Sequence, residues 1–180
     1  PRFAVSGYGA SCPTCKTPRD EDNQWQVGSY KLNGEVLECE CSEQVARLQA
    51  YIHAHIPRRY WRLDWERDFK GDDRARVAVS GFLRQWEALK EDGTGIEFTG
   101  PLGIGKTFAA TTLAKELVKR NEFVYFCQFN EVLHAIRYDE RDQINRMRET
   151  KVLVLDEIQT PPVDQLAKIF ADRFEEIIRY

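Results

Sequence analysis

Gly100-Pro101-Leu102-Gly103-Ile104-Gly105-Lys106-Thr107 has the residue types and spacing of a phosphate-binding P-loop. In such a loop the glycines let successive backbone N–H groups turn inward around an anion, and the lysine reaches the outer phosphates. The Thr107 hydroxyl is the expected Mg²⁺ ligand. Further along, Val152-Leu153-Val154-Leu155 is a buried-strand run that ends in Asp156-Glu157. Coming after a full P-loop, this pair reads as a Walker B pattern, in which Asp156 holds Mg²⁺ through water and Glu157 polarises the attacking water. The expected nucleotide contacts are therefore Gly100, Pro101, Gly103, Ile104, Gly105, Lys106, Thr107 and Asp156. Lys106 and Glu157 carry the chemistry of ATP with Mg²⁺.

A second constellation is thiolate. Cys12-Pro13-Thr14-Cys15 and Cys39-Glu40-Cys41 form two pairs, and Cys127 stands apart. Between the pairs, Tyr30 to Leu32 and Glu35 to Leu37 read as strands joined by Asn33-Gly34, a strong two-residue hairpin signal. Residues two apart on a strand share a face, so Cys39 and Cys41 can point at one ion. Four thiolates satisfy the tetrahedral preference of Zn²⁺ and close the site, which makes it structural. Two disulfides or four free thiols are the competing arrangements, disfavoured by the paired spacing and by a reducing compartment. His53 and His55 are reserve ligands at the edge of a helix expected from Ser42 to Ile56.

The elements around the P-loop follow the required order. Ile96 to Thr99 alternates as a short strand would, and Phe108, Ala109, Leu113, Ala114, Leu117 and Val118 keep helical spacing. Lys115, Glu116, Lys119 and Arg120 are expected on the opposite, polar face. Val79, Phe82, Leu83, Trp86 and Leu89 predict one amphipathic helix from Arg74 to Glu91, stopped by Asp92-Gly93-Thr94-Gly95. A strand is expected from Phe123 to Cys127, then short helices from Glu131 to Tyr138 and from Gln143 to Arg148. Thr160-Pro161 opens a final helix whose apolar stripe includes Phe174 and Ile177.

With 180 residues, 42% of them apolar, the chain has room for one ordinary domain and a small module. A formal net charge of −3 gives no global pull toward nucleic acid, so any such contact needs a local basic patch. No apolar run is long enough to span a membrane, and the first residues lack the pattern of a secretion signal, so the expected location is cytoplasmic. The boundary is expected at Pro57: residues 1–56 as the zinc module, residues 57–180 as the nucleotide domain. Just beyond it, Arg58-Arg59-Tyr60-Trp61-Arg62-Leu63-Asp64-Trp65 interleaves basic and aromatic residues, a pattern compatible with single-stranded nucleic acid. Packing onto the nucleotide domain is the preferred reading for Tyr60, Trp61 and Trp65.

The ordered set of Cys12-Cys15, Cys39-Cys41, Ile56-Pro57-Arg58-Arg59-Tyr60, Gly100 to Thr107, Val152 to Glu157 and Phe174 to Tyr180 resembles bacterial and phage replicative-helicase loaders of the DnaC/DnaI type. These stand with the IstB-like transposition ATPases in one group of AAA+ proteins. The resemblance implies an α/β fold, a P-loop NTPase of AAA+ type with a parallel sheet flanked by helices, preceded by a small four-cysteine zinc module. It implies an ATP-hydrolysing DNA replication factor, whose N-terminal module grips the replicative helicase. The ATPase domain would assemble with copies of itself around single-stranded DNA, with Arg137, Arg141, Arg146 and Arg148 as candidate contacts. An IstB-like transposition ATPase is the alternative, as is a nucleotide-gated adaptor with little hydrolysis. The group's sensor strand, arginine finger and helical lid have no matching segment here, so the chain is expected to be part of a longer protein.

Overall fold

The computed structural model describes residues 25–26, 29–32, 35–38, 42–158, 174–175 and 177. By internal contacts the chain divides into two units, Pro1–Ala50 and Tyr51–Tyr180. In the first, three antiparallel strands pair in sequence order: β1 (Trp25–Gln26), β2 (Ser29–Leu32) and β3 (Glu35–Glu38). Leu32 pairs with Glu35 across the expected hairpin. Asn33, Gly34 and the four paired cysteines lie outside the described residues.

Helix α1 (Ser42–His53) stops short of the expected Ile56. His55 adopts φ 55°, a left-handed conformation that ends the helix two residues before Pro57. The chain then runs along a strand edge, where the Ala54 carbonyl accepts the Phe126 N–H at 2.9 Å. Tyr51, Ala54 and Ile56 are buried. A 3₁₀ turn (Arg58–Tyr60) and a short helix α2 (Trp65–Asp68) follow, the latter capped by the Asp64 carboxylate, which accepts from the N–H groups of Glu66 and Arg67.

The helix expected from 74 to 91 is two helices, α3 (Asp73–Arg84) and α4 (Trp86–Glu91). Gln85 breaks it at φ −99°, ψ 7°, its N–H shared between the carbonyls of Gly81 and Phe82. The apolar spacing runs through this kink unbroken, so periodicity alone could not find it. No strand forms at 96–99 among the described residues. Alternation shows which side chains share a face, but a strand also needs a neighbour to pair with.

Helix α5 (Lys106–Lys119) begins at the P-loop lysine. Strand β4 (Val124–Gln128) pairs in parallel with β5 (Val152–Asp156), in register from Val124 with Val152 to Gln128 with Asp156. Helices α6 (Phe129–Tyr138) and α7 (Arg141–Glu149) form the crossover. The sheet therefore separates two layers. Tyr125 and Cys127 face a core of Val132, Ile136, Met147 and Ile177, with Leu153 and Leu155 packed against it. Val124 and Phe126 point to the other side, where α5 contacts both strands. Phe174, Glu175 and Ile177 are helical, and the remainder of the expected final helix lies outside the described residues.

Candidate nucleotide-binding site

Three elements converge on the P-loop: the loop itself, the first turn of α5, and the C-terminal end of β5. Gly105 takes φ 92° as the residue before α5, a conformation that strains any residue with a Cβ. No side chain caps α5 there, which leaves first-turn N–H groups at the positive end of the helix dipole for an anion. Lys106 folds back so that its Nζ donates to the carbonyls of Gly100 and Pro101, both at 2.7 Å. The ammonium thus sits against the first residues of the loop, held by oxygens that an outer phosphate can replace.

At the end of β5 the Thr107 hydroxyl donates to Asp156 Oδ1 at 3.0 Å, across 49 residues of sequence. A threonine hydroxyl and a carboxylate are hard oxygen donors of the kind Mg²⁺ takes with its waters, so the donor set fits the ion. Glu157 is exposed and has φ 56°. A non-glycine residue there costs of order 1–3 kcal/mol and persists where the surroundings impose it. All the predicted P-loop and Walker B residues are described, and Thr107 and Asp156 meet directly.

The four cysteines of the expected metal site fall outside the described residues, and no cluster of His, Cys, Asp and Glu that could hold a metal occurs among the described ones. His53 and His55 are exposed. The His55 ring lies 4.7 Å from that of Tyr125, and partial desolvation, then the Arg146 charge, pulls its pKa below the usual histidine value. The candidate DNA-contact arginines sit on α6 and α7: Arg137, Arg141 and Arg146 are exposed and Arg148 is half-buried. Arg141 pairs with Asp139 at 3.4 Å, and Arg137 lies over the Tyr138 ring.

The linker aromatics pack. Trp65 lies 4.2 Å from Phe69 and 5.9 Å from Phe108, while Tyr60 meets Phe108 edge-on at 5.9 Å. Trp61 donates its indole N–H to the Ile56 carbonyl at 2.7 Å. Two residues near the site escaped sequence reasoning. Phe69, 4% exposed, sits against the P-loop. Lys115, placed by its charge on the polar face of α5, is 8% exposed instead. Its Nζ donates to Leu63 O at 2.6 Å and Tyr60 O at 3.0 Å, which ties α5 to the linker.

A parallel sheet, a glycine loop opening onto a helix, and a Thr–Asp pair at the neighbouring strand end define a P-loop nucleotide-binding protein. More particularly, the profile of the IstB-like ATP binding protein family matches residues 62–177, and the chain belongs to that family. A similar protein from Bacillus thuringiensis subsp. berliner, named as a putative ATP-binding protein of insertion sequence IS232, is 29% identical over 86 residues. The aligned part covers 44% of this chain and 34% of that relative, so the match spans about a third of the relative's length. No solved structure matches the chain. No helix among the described residues is long and apolar enough to cross a membrane.

Proposed function

We propose that this chain is an ATPase of the transposition type, binding and hydrolysing Mg-ATP to control assembly on DNA at a mobile element. The observation that carries the ATPase reading is the Thr107–Asp156 contact at the mouth of the P-loop, made by residues on separate elements. The family match and the insertion-sequence relative support the transposition setting over helicase loading, which the motifs alone had favoured. In this reading Lys106 and the first N–H groups of α5 bind the phosphates, Thr107 and Asp156 hold Mg²⁺, and Glu157 orients the attacking water. Arg137, Arg141, Arg146 and Arg148 contact DNA, and the active form is a homo-oligomer.

The test separates binding from hydrolysis. Lys106→Ala should abolish ATP binding, because the ammonium acts on the bound phosphates. Glu157→Gln should keep binding and slow hydrolysis by about 10² or more, because the carboxylate acts when water attacks. Wild-type binding and turnover by both variants refutes the assignment.

One observation favours helicase loading as a second reading: the paired cysteines flank the β2–β3 hairpin and lie before residue 62, outside the part that matches the IstB-like family. A loader would hold one Zn²⁺ through Cys12, Cys15, Cys39 and Cys41 and bind the replicative helicase. Stoichiometric zinc with ATP-dependent co-purification of that helicase supports this reading. Without helicase capture, the transposition reading stands.

A further inference from the structure

The segment between α2 and α3 lies directly beneath the phosphate loop. An ideal Cβ built on Gly71 would fall 2.3 Å from Phe69 Cζ and 2.5 Å from the carbonyl oxygen of Ile104, a P-loop residue. A Cβ on Gly105 would fall 2.8 Å from Phe69 Cε2, on the same Cε2–Cζ edge of the ring. The Phe69 ring therefore packs its Cε2–Cζ edge against two glycines, one before α3 and one in the loop, and fits because neither has a side chain.

The ring is also held from behind. Phe69 stacks on Trp65 and lies 5.5 Å from Phe108, the third residue of α5. The Arg76 guanidinium covers both Trp65 and Phe69, at 5.4 Å and 5.3 Å from their ring centroids. It also donates to the Phe69 carbonyl at 3.1 Å and pairs with Glu66 at 3.0 Å. Residues 65–76 thus form a braced strut, not a free connection.

From this geometry we infer that Phe69 and Gly71 are positioning residues for nucleotide binding: they set the Ile104–Gly105 peptide plane so that its N–H faces the phosphate. In a trans peptide the C=O and the following N–H point in opposite directions. The Ile104 oxygen is the atom of that peptide that meets Gly71, so the Gly105 N–H is directed away from the strut, toward the inside of the loop. Any side chain at Gly71 has to displace either the Phe69 ring or that carbonyl. Displacing the carbonyl rotates the peptide and withdraws the N–H. Displacing the ring removes the support under Gly105.

This inference rests on the ATP-binding reading, and one set of titrations separates the two. Mg-ATP affinity is measured on the full chain for the parent, Gly71→Ala, Phe69→Leu and Val79→Ala. The last variant loses core packing at a residue 1% exposed on α3 and reports general destabilisation alone. Gly71→Ala should raise the Kd at least tenfold and Phe69→Leu at least threefold, with Val79→Ala within twofold of the parent. Phe69→Leu introduces no clash and keeps the test valid if Gly71→Ala does not fold. In amide spectra, the Gly105 N–H signal should shift on adding Mg-ATP to the parent and shift less in either strut variant. A parent that binds Mg-ATP with strut variants matching Val79→Ala overturns the inference and leaves the ATP reading intact. A parent that fails to bind Mg-ATP overturns both.

Discussion

Replacing Lys115 with methionine tests whether a buried ammonium joins the linker to the helix that follows the P-loop. Methionine keeps most of the aliphatic stem and its packing but removes the charge and its donors. Two hydrogen bonds are lost, and the losses are unequal. Tyr60 O retains the Leu63 N–H at 3.2 Å, whereas Leu63 O loses a 2.6 Å charge-assisted donor in a part-buried position. A buried acceptor deprived of its donor costs about 1–3 kcal/mol. Against this, the ammonium no longer has to be desolvated; burial, then repulsion from Lys119, holds its pKa below the usual lysine value. The net expectation is destabilisation by about 1–2 kcal/mol, or about 2–8 °C in melting temperature for a domain of this size.

The readout is the urea midpoint by tryptophan fluorescence, with Trp61, Trp65 and Trp86 all in the second unit. Limited trypsin digestion adds a local measure, because a loosened linker should be cut faster at Arg58, Arg59 and Arg62, all exposed and all on the linker. Lys119→Met is the control. That lysine pairs only with half-exposed Glu116 among the described ion pairs, and such surface pairs contribute about 0–1 kcal/mol. The pH dependence has a fixed sign. Between the folded pKa and the ordinary lysine value the unfolded chain binds more protons, so the Lys115 contribution makes stability rise with pH across that window. Lys115→Met should lack that rise. Equal or greater stability in Lys115→Met, with unchanged trypsin cutting, refutes the tie.

The Cys127 thiol, 2% exposed, is pushed up to about 12 by burial, with Glu131 adding to the shift, so iodoacetamide at pH 8 should leave the Cys127 peptide unmodified in the native protein and alkylate it in urea, as mass spectrometry will show. Because its folded pKa is raised, its contribution to stability is complete below the ordinary thiol range and is lost as pH rises toward about 12. The Glu122 carboxylate is held below its usual range, first by the Trp86 indole N–H at 2.7 Å and then by Lys90 at 3.0 Å. That contribution is present above the ordinary glutamate pKa and lost as pH falls through the folded value, so an acid titration of Glu122→Gln, followed by tryptophan fluorescence, should show a shallower loss of stability than the parent.

How much of the site was legible depended on whether its signal was local. The P-loop, α5, β4 and β5 were readable because fixed spacing and apolar period encode them over short stretches. The Thr107–Asp156 meeting was expected from chemistry: two residues assigned to one ion must converge wherever the chain puts them. Ile96 to Thr99 has the alternation of a strand, but strand character is completed by a partner's hydrogen bonds, and none of the described strands lies against it. Gln85 is neither glycine nor proline, and the apolar positions from Val79 to Trp86 stay in phase across it, so the break left no mark in the sequence pattern.

Lys115 and Phe69 mark the deeper limit. A lysine among Glu116, Lys119 and Arg120 looks solvated until the linker folds over it, and the carbonyls that bury it lie 52 and 55 residues earlier. Phe69 is one aromatic residue in a chain with ten phenylalanines, and nothing around it signals proximity to a phosphate loop. Its place is set by two absences of a side chain, at Gly71 and at Gly105, of which spacing marks only the second, as a phosphate-loop glycine. Local motif reading identifies atoms that touch a ligand because ligand chemistry restricts residue type. Groups packed behind those atoms are restricted by their tertiary surroundings, and those are defined by the folded chain.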